Sequence, residues 1–75
     1  MQKKLNELKQ GESGKIVSVL GEGQVRRRLF DMGVTPGASL KVVKFAPLGD
    51  PIEVTLRGYA LTLRKAEAAN VEVEL

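Results

Sequence analysis

The residues best placed to do chemistry in this chain are the consecutive arginines Arg26, Arg27 and Arg28, with Phe30 close behind. Guanidiniums in a row offer charge and forked hydrogen bonds to carboxylates or phosphates, and an aromatic one helical turn from Arg26 offers an apolar anchor. What is missing narrows the chemistry further. There is no histidine and no cysteine, so the usual ligands of zinc, copper and catalytic iron are absent. Nucleophile–histidine pairs and imidazole acid–base catalysis go with them. The remaining 9 carboxylates and single tyrosine show no catalytic spacing. The expectation is a binding protein, not an enzyme, with no catalytic residues and no cofactor.

A metal ion would need oxygen ligands such as Asp50, Glu53, Glu72 or Glu74. Glu72 and Glu74 lie two apart on one face of a strand, but solvated carboxylates are the default and no metal site is assigned. Composition is that of an ordinary soluble domain, 43% hydrophobic and 28% charged over 75 residues. No apolar run is long enough to span a membrane, and the opening "MQKKLNELKQGE" has no apolar signal core, so no membrane insertion is expected. The net charge of +3 is modest, and Glu67, Glu72 and Glu74 make the C-terminus acidic. With few aromatics to stack on bases, nucleic acid is not an expected partner.

The arginines must be positioned by a helix. In "GEGQVRRRLFDM" (21–32), Val25, Leu29 and Met32 fall at i, i+4 and i+7, an apolar stripe about 60° wide. Arg27 points away from that stripe, Arg26 and Arg28 flank it, and Asp31 is spaced to pair with Arg27 or Arg28. Phe30 lies about 140° round from Val25. Two readings of it stand side by side: an exposed interface anchor, or a ring packed under Leu5 and Leu8.

The stretch "LFDMGVTPGASL" (29–40) then stops and re-aims the chain. Gly33 takes the left-handed position just past the helix and Val34 folds back on Leu29, as in a Schellman stop. Thr35-Pro36-Gly37-Ala38 reads as a type II turn, with proline fixing φ at the second position and glycine permitting positive φ at the third. These glycines follow a helix and do not lead into one, so they form no phosphate loop.

The rest is strand. "KIVSVL" (15–20) precedes the helix, "ASLKVVKFA" (38–46) follows it, and "PLGDP" (47–51) is a loop. "IEVTLR" (52–57) and "YALTLR" (59–64) alternate, with Ile52, Val54, Leu56, Tyr59, Leu61 and Leu63 inward and Gly58 allowing a tight hairpin between them. "KAEAAN" (65–70) is a helical turn ended by a left-handed Asn70, and "VEVEL" (71–75) is a last strand with Val71, Val73 and Leu75 inward. "KKLNELKQG" opens the chain with helical turns stopped at Gly11. The class is mainly β: a single domain, residues 1–75, forming a small SH3-like barrel of about five strands with one helix after the first. The helix would plug one end through Val25, Leu29 and Met32, and the last strand would pair near the first.

The arginine–leucine helix end with "DMGVTPG", then "APLGDPIEV", then "LRGYALTLRKAEAANVEV" resemble, in that order, the ferrous iron transport protein A (FeoA) family. "LNELKQGESGKIVSVLGEG" is similar to its N-terminal segment, so the resemblance covers nearly the whole chain. It implies an SH3-like barrel in the bacterial cytoplasm, at the inner face of the membrane. The implied partner is the ferrous iron transporter FeoB, which carries a cytosolic GTPase domain, and the implied role is accessory or regulatory. A related barrel ends some iron-dependent repressors. The resemblance assigns no contact residues; the arginine helix supplies the candidates Arg26, Arg27, Phe30 and Val34, with Gly33, Pro36, Gly37 and Gly58 as structural turns. The alternatives are a nucleic-acid-associated SH3-like barrel and a metal-responsive regulatory module. Monomer and oligomer are both compatible, because edge strands of a small barrel can pair between copies.

Overall fold

The computed structural model describes residues 1–75. Strands β1 (Gln2–Lys4), β2 (Ser13–Val19), β3 (Ser39–Phe45), β4 (Ile52–Leu56), β5 (Tyr59–Leu63) and β6 (Val71–Glu74) alternate with helices α1 (Gly23–Asp31) and α2 (Lys65–Ala68). A single 3₁₀ turn, Leu5–Glu7, follows β1. The strands form one six-stranded sheet in the order β1-β6-β2-β3-β4-β5. Every adjacent pair is antiparallel. Shifts of register between Ile16 and Ser18, and between Val42 and Lys44, mark irregularities in β2 and β3. Such bulges bend a strand and increase its twist. The curved sheet encloses one cluster of 16 buried residues, drawn from β2, β3, β4, β5, β6, α1, α2 and the 3₁₀ turn.

The strand pattern agrees with the alternation in the sequence. Ile52, Val54 and Leu56 are buried on β4, and Val71 and Val73 on β6. The mainly β, SH3-like reading stands, with two differences. A sixth strand, β1, takes the first residues of the opening segment and pairs with β6, because its backbone bonds come from a distant segment and leave no mark in "QKK"; the expected helical turn is confined to Leu5–Glu7. The sheet is also not closed, and β1 and β5 remain as its edges.

Several inward assignments are corrected. Val25 is 40% exposed, because α1 meets the core only through its C-terminal turn: Leu29 is buried, and Phe30 and Met32 are half-buried against the cluster. Tyr59 is exposed because β5 is an edge, and Leu75 because the β6 ladder ends at Glu74. Asn70 is not left-handed; its side chain donates to the Ala66 carbonyl at 3.2 Å and holds the end of α2 that way.

The turns answer the glycine pattern directly. Val34 N–H donates to Leu29 at 2.9 Å and Gly33 N–H to Phe30 at 2.9 Å, the paired bonds of a Schellman stop, with Gly33 at φ +88°. Ala38 N–H donates to Thr35 at 3.1 Å across Pro36 and Gly37, closing the next turn. Arg57 and Gly58 both have positive φ, at 50° and 87°. That is the two-residue hairpin whose twist matches the strands on either side of it.

Candidate partner-binding surface

Helix α1 overhangs the curved sheet and meets the core only through its C-terminal turn. It begins at Gly23 with no side-chain cap, and its only fully buried residue is Leu29. The Schellman stop and the Pro36 turn fix its far end, so its exposed face has a defined direction.

Two of the three arginines are committed to contacts within the chain. Arg26 places its guanidinium carbon 4.6 Å from the centroid of the Phe30 ring, a cation–π arrangement. Its Nε donates to the Val19 carbonyl at 3.3 Å, which ties α1 to the end of β2. Arg28 turns the other way and pairs with Glu67 of α2 at 3.4 Å. The expected pairing of Asp31 with Arg27 or Arg28 does not form, because Glu67 is better placed for Arg28 and Asp31 makes no salt bridge. Arg27 has no ionic partner and is the free charge of the run.

Arg26, Arg27 and Phe30 come together with Gly23 and Asp31 around one open cleft of about 360 Å³. Phe30 is half-buried: it packs against the core cluster and lies beneath the Arg26 guanidinium. Val34 does not belong to this surface. It is 1% exposed, since the Schellman turn folds it back into the core, and is corrected from partner contact to packing residue.

A second cleft of similar size was not legible in the sequence. It is lined by Arg28, Asp50, Pro51, Thr62, Arg64 and Glu67. Its members come from three segments far apart in sequence, so no local spacing could announce it. Glu67 is 8% exposed and accepts the Arg64 N–H at 3.0 Å, and Asp50 accepts the Lys65 N–H at 2.9 Å.

The carboxylates weighed as metal ligands are dispersed. Glu72 accepts from the Ser18 hydroxyl at 2.6 Å, Glu74 faces the N-terminal amine at 3.6 Å, and Glu53 faces Lys44 at 4.0 Å. No group of three or more histidine, cysteine, aspartate or glutamate side chains converges. No helix is long and apolar enough to cross a membrane.

A bent antiparallel sheet with one short helix packed against it by its C-terminal turn defines a small SH3-like β module. The chain belongs to the FeoA domain family, whose model matches residues 3–75. It is 42% identical over 72 residues to the Fe(2+) transport protein A/Fe(2+) transporter FeoB fusion protein of Porphyromonas gingivalis. That match covers 96% of this chain but 8% of the relative, so the chain spans a small part of that protein's length. The solution structure of the FeoA protein from Chlorobium tepidum superposes with a TM-score of 0.87 at 51% identity, covering 97% of this chain and 70% of that one. The zinc complex of FeoA from Stenotrophomonas maltophilia superposes with a TM-score of 0.81 at 29% identity, covering 99% and 89%. It is described as a prokaryotic SH3 domain protein, with a role proposed for it as a bacterial ferrous iron transport activating factor. Both the Porphyromonas gingivalis and the Stenotrophomonas maltophilia relatives are named for ferrous iron transport.

Proposed function

We propose that this domain is a cytoplasmic accessory of bacterial ferrous iron uptake that acts by contact with FeoB, on its cytosolic, GTPase-bearing part, and not by catalysis. The observation that carries this reading is the Porphyromonas gingivalis fusion, in which a FeoA-type segment and FeoB are one chain. Covalent linkage raises the effective concentration of two binding modules for each other, which is useful where they work in contact. The α1 cleft of Arg26, Arg27 and Phe30 suits the role. It combines a half-buried aromatic with a guanidinium that has no ionic partner, the residue types that dominate interface energetics.

The test is an amide-shift titration of isotope-labelled protein with the purified cytosolic domain of FeoB, with and without a GTP analogue. Shifts confined to residues 23–32 support the reading and its surface. An unperturbed spectrum at high partner concentration in both nucleotide states removes it.

A further inference from the structure

The free edge of β5 is an unblocked template for another strand. The two-residue turn at Arg57-Gly58 makes Leu56 and Tyr59 the first bonded pair of the hairpin. Bonded and non-bonded pairs alternate along an antiparallel ladder, so Leu61 and Leu63 also bond inward to β4. Ala60 and Thr62 therefore point their N–H and C=O groups away from β4, toward the open side. None of these four groups has a partner elsewhere in the chain.

Natural edges are usually blunted by lysine, proline, a bulge or a covering element. Tyr59–Leu63, with the sequence YALTL, has no charge and no proline, and the β4–β5 register runs without a shift. The opposite edge is managed differently: β1 has 3 residues, two of them lysines.

The charges around β5 select the occupant. Arg57 precedes the strand, and Arg64 and Lys65 follow it. Arg28 and Arg64 line the cleft that Thr62 enters. The acids in that cleft, Glu67 and Asp50, are already engaged with Arg28, the Arg64 N–H and the Lys65 N–H. A second copy fits poorly. Antiparallel self-pairing about Leu61 would set Arg57 of each copy beside Lys65 of the other, and like charges opposed across strands destabilise the pair.

We propose that β5 accepts an extended acidic segment of a partner protein, which adds a seventh strand through the backbones of Ala60 and Thr62 and meets Arg57 and Arg64 with its carboxylates. This site is separate from the α1 surface and does not require that the segment belong to the transporter.

The probe is a short blocked peptide of alternating threonine and valine with glutamate at each end, and its control carries lysine at each end. In the free protein, the Ala60 and Thr62 amides exchange rapidly with solvent. With the glutamate peptide, both shift downfield and their exchange slows by about tenfold or more, as hydrogen-bonded amides do. The lysine peptide binds about tenfold more weakly. Thr62→Pro removes one outward donor without touching the β4 ladder, a placement that edge strands tolerate, and abolishes the response. Arg64→Glu, which alters no backbone donor, reverses the preference between the two peptides and keeps the test open should the proline variant unfold. Unchanged Ala60 and Thr62 amides at millimolar glutamate peptide overturn the proposal. So does a concentration-dependent shift of these amides without peptide, which would make a second copy the occupant.

Discussion

The Tyr59 hydroxyl donates to the Met32 carbonyl at 2.6 Å, joining the edge strand β5 to the last turn of α1 across 27 positions of sequence. A Cβ on Gly33 would run into that hydroxyl, and Gly33 sits at φ +88°. The glycine thus supplies a backbone conformation and also vacates the space through which the tyrosine reaches the helix.

Tyr59→Phe should cost about 0.5–1.5 kcal/mol, the worth of one net hydrogen bond. Gly33→Ala should cost about 1–2 kcal/mol from the left-handed backbone alone, plus the displacement of Tyr59. The double variant should cost less than the sum, because phenylalanine leaves room for the new methyl. Urea unfolding of the four proteins closes the cycle, and strictly additive values would sink the shared-space argument.

Phe30 and Arg27 separate binding from folding on the α1 surface. Arg27→Glu should change stability by no more than about 0.5 kcal/mol, because the side chain has no ionic partner to lose. It should nevertheless weaken contact with the cytosolic domain of FeoB about tenfold. Phe30→Ser should lose more affinity, about 2 kcal/mol if the ring is an anchor, together with some stability from its half-buried side. Calorimetric titration beside thermal melts reads both; equal binding by wild type and Arg27→Glu argues against this surface.

Glu67 holds α2 by accepting the Arg64 N–H at the start of the helix. Glu67→Ala leaves that donor unpaired and should cost about 0.5–2 kcal/mol. Arg28→Ala should cost far less, because the Arg28 side chain of the ion pair is largely exposed and screened. Melts at low and high salt distinguish the two: the Arg28 effect fades with salt and the Glu67 effect persists.

Gly14 is the tightest glycine of the sheet. A Cβ there would lie 2.5 Å from Val73 Cγ1 and 2.6 Å from the Glu74 carbonyl oxygen. Gly14→Ala should cost about 1–3 kcal/mol, as overpacking does, by forcing β2 away from β6. Gly37→Ala meets nothing within 4 Å and pays only for its φ of +94°, about 1–2 kcal/mol. Chemical denaturation ranks them, and amide shifts should spread along β6 for Gly14→Ala alone.

Much of this architecture is written locally. The stop at Gly33, the turn at Pro36-Gly37 and the hairpin at Arg57-Gly58 depend on neighbours in sequence, and all three occur as the residue types dictate. The core of β4 and β6 follows from alternation. What could not be seen depends on partners far along the chain. Strand β1 exists because β6 bonds to it, and Gly14 matters because of Val73. Glu67 draws Arg28 away from Asp31. The helix stripe misled for a related reason: periodicity finds the apolar face of α1 but not how far the helix overhangs the barrel, so Val25 emerges into solvent. Arg26, Arg27 and Phe30 were visible as a cluster because a single helix presents them, whereas the cleft around Thr62 needed the whole fold.

The pairing of β1 with β6 also sets how the domain responds to mechanical load. Gln2 lies opposite Glu74, and the Leu75 N–H donates to the Met1 carbonyl at 2.9 Å, so the two ends of the chain leave side by side. Force applied across them peels β1 from β6 one rung at a time, and the rungs are never loaded together in shear. The domain yields easily along that axis. A tether at one end alone leaves the ladder slack and the fold unstrained.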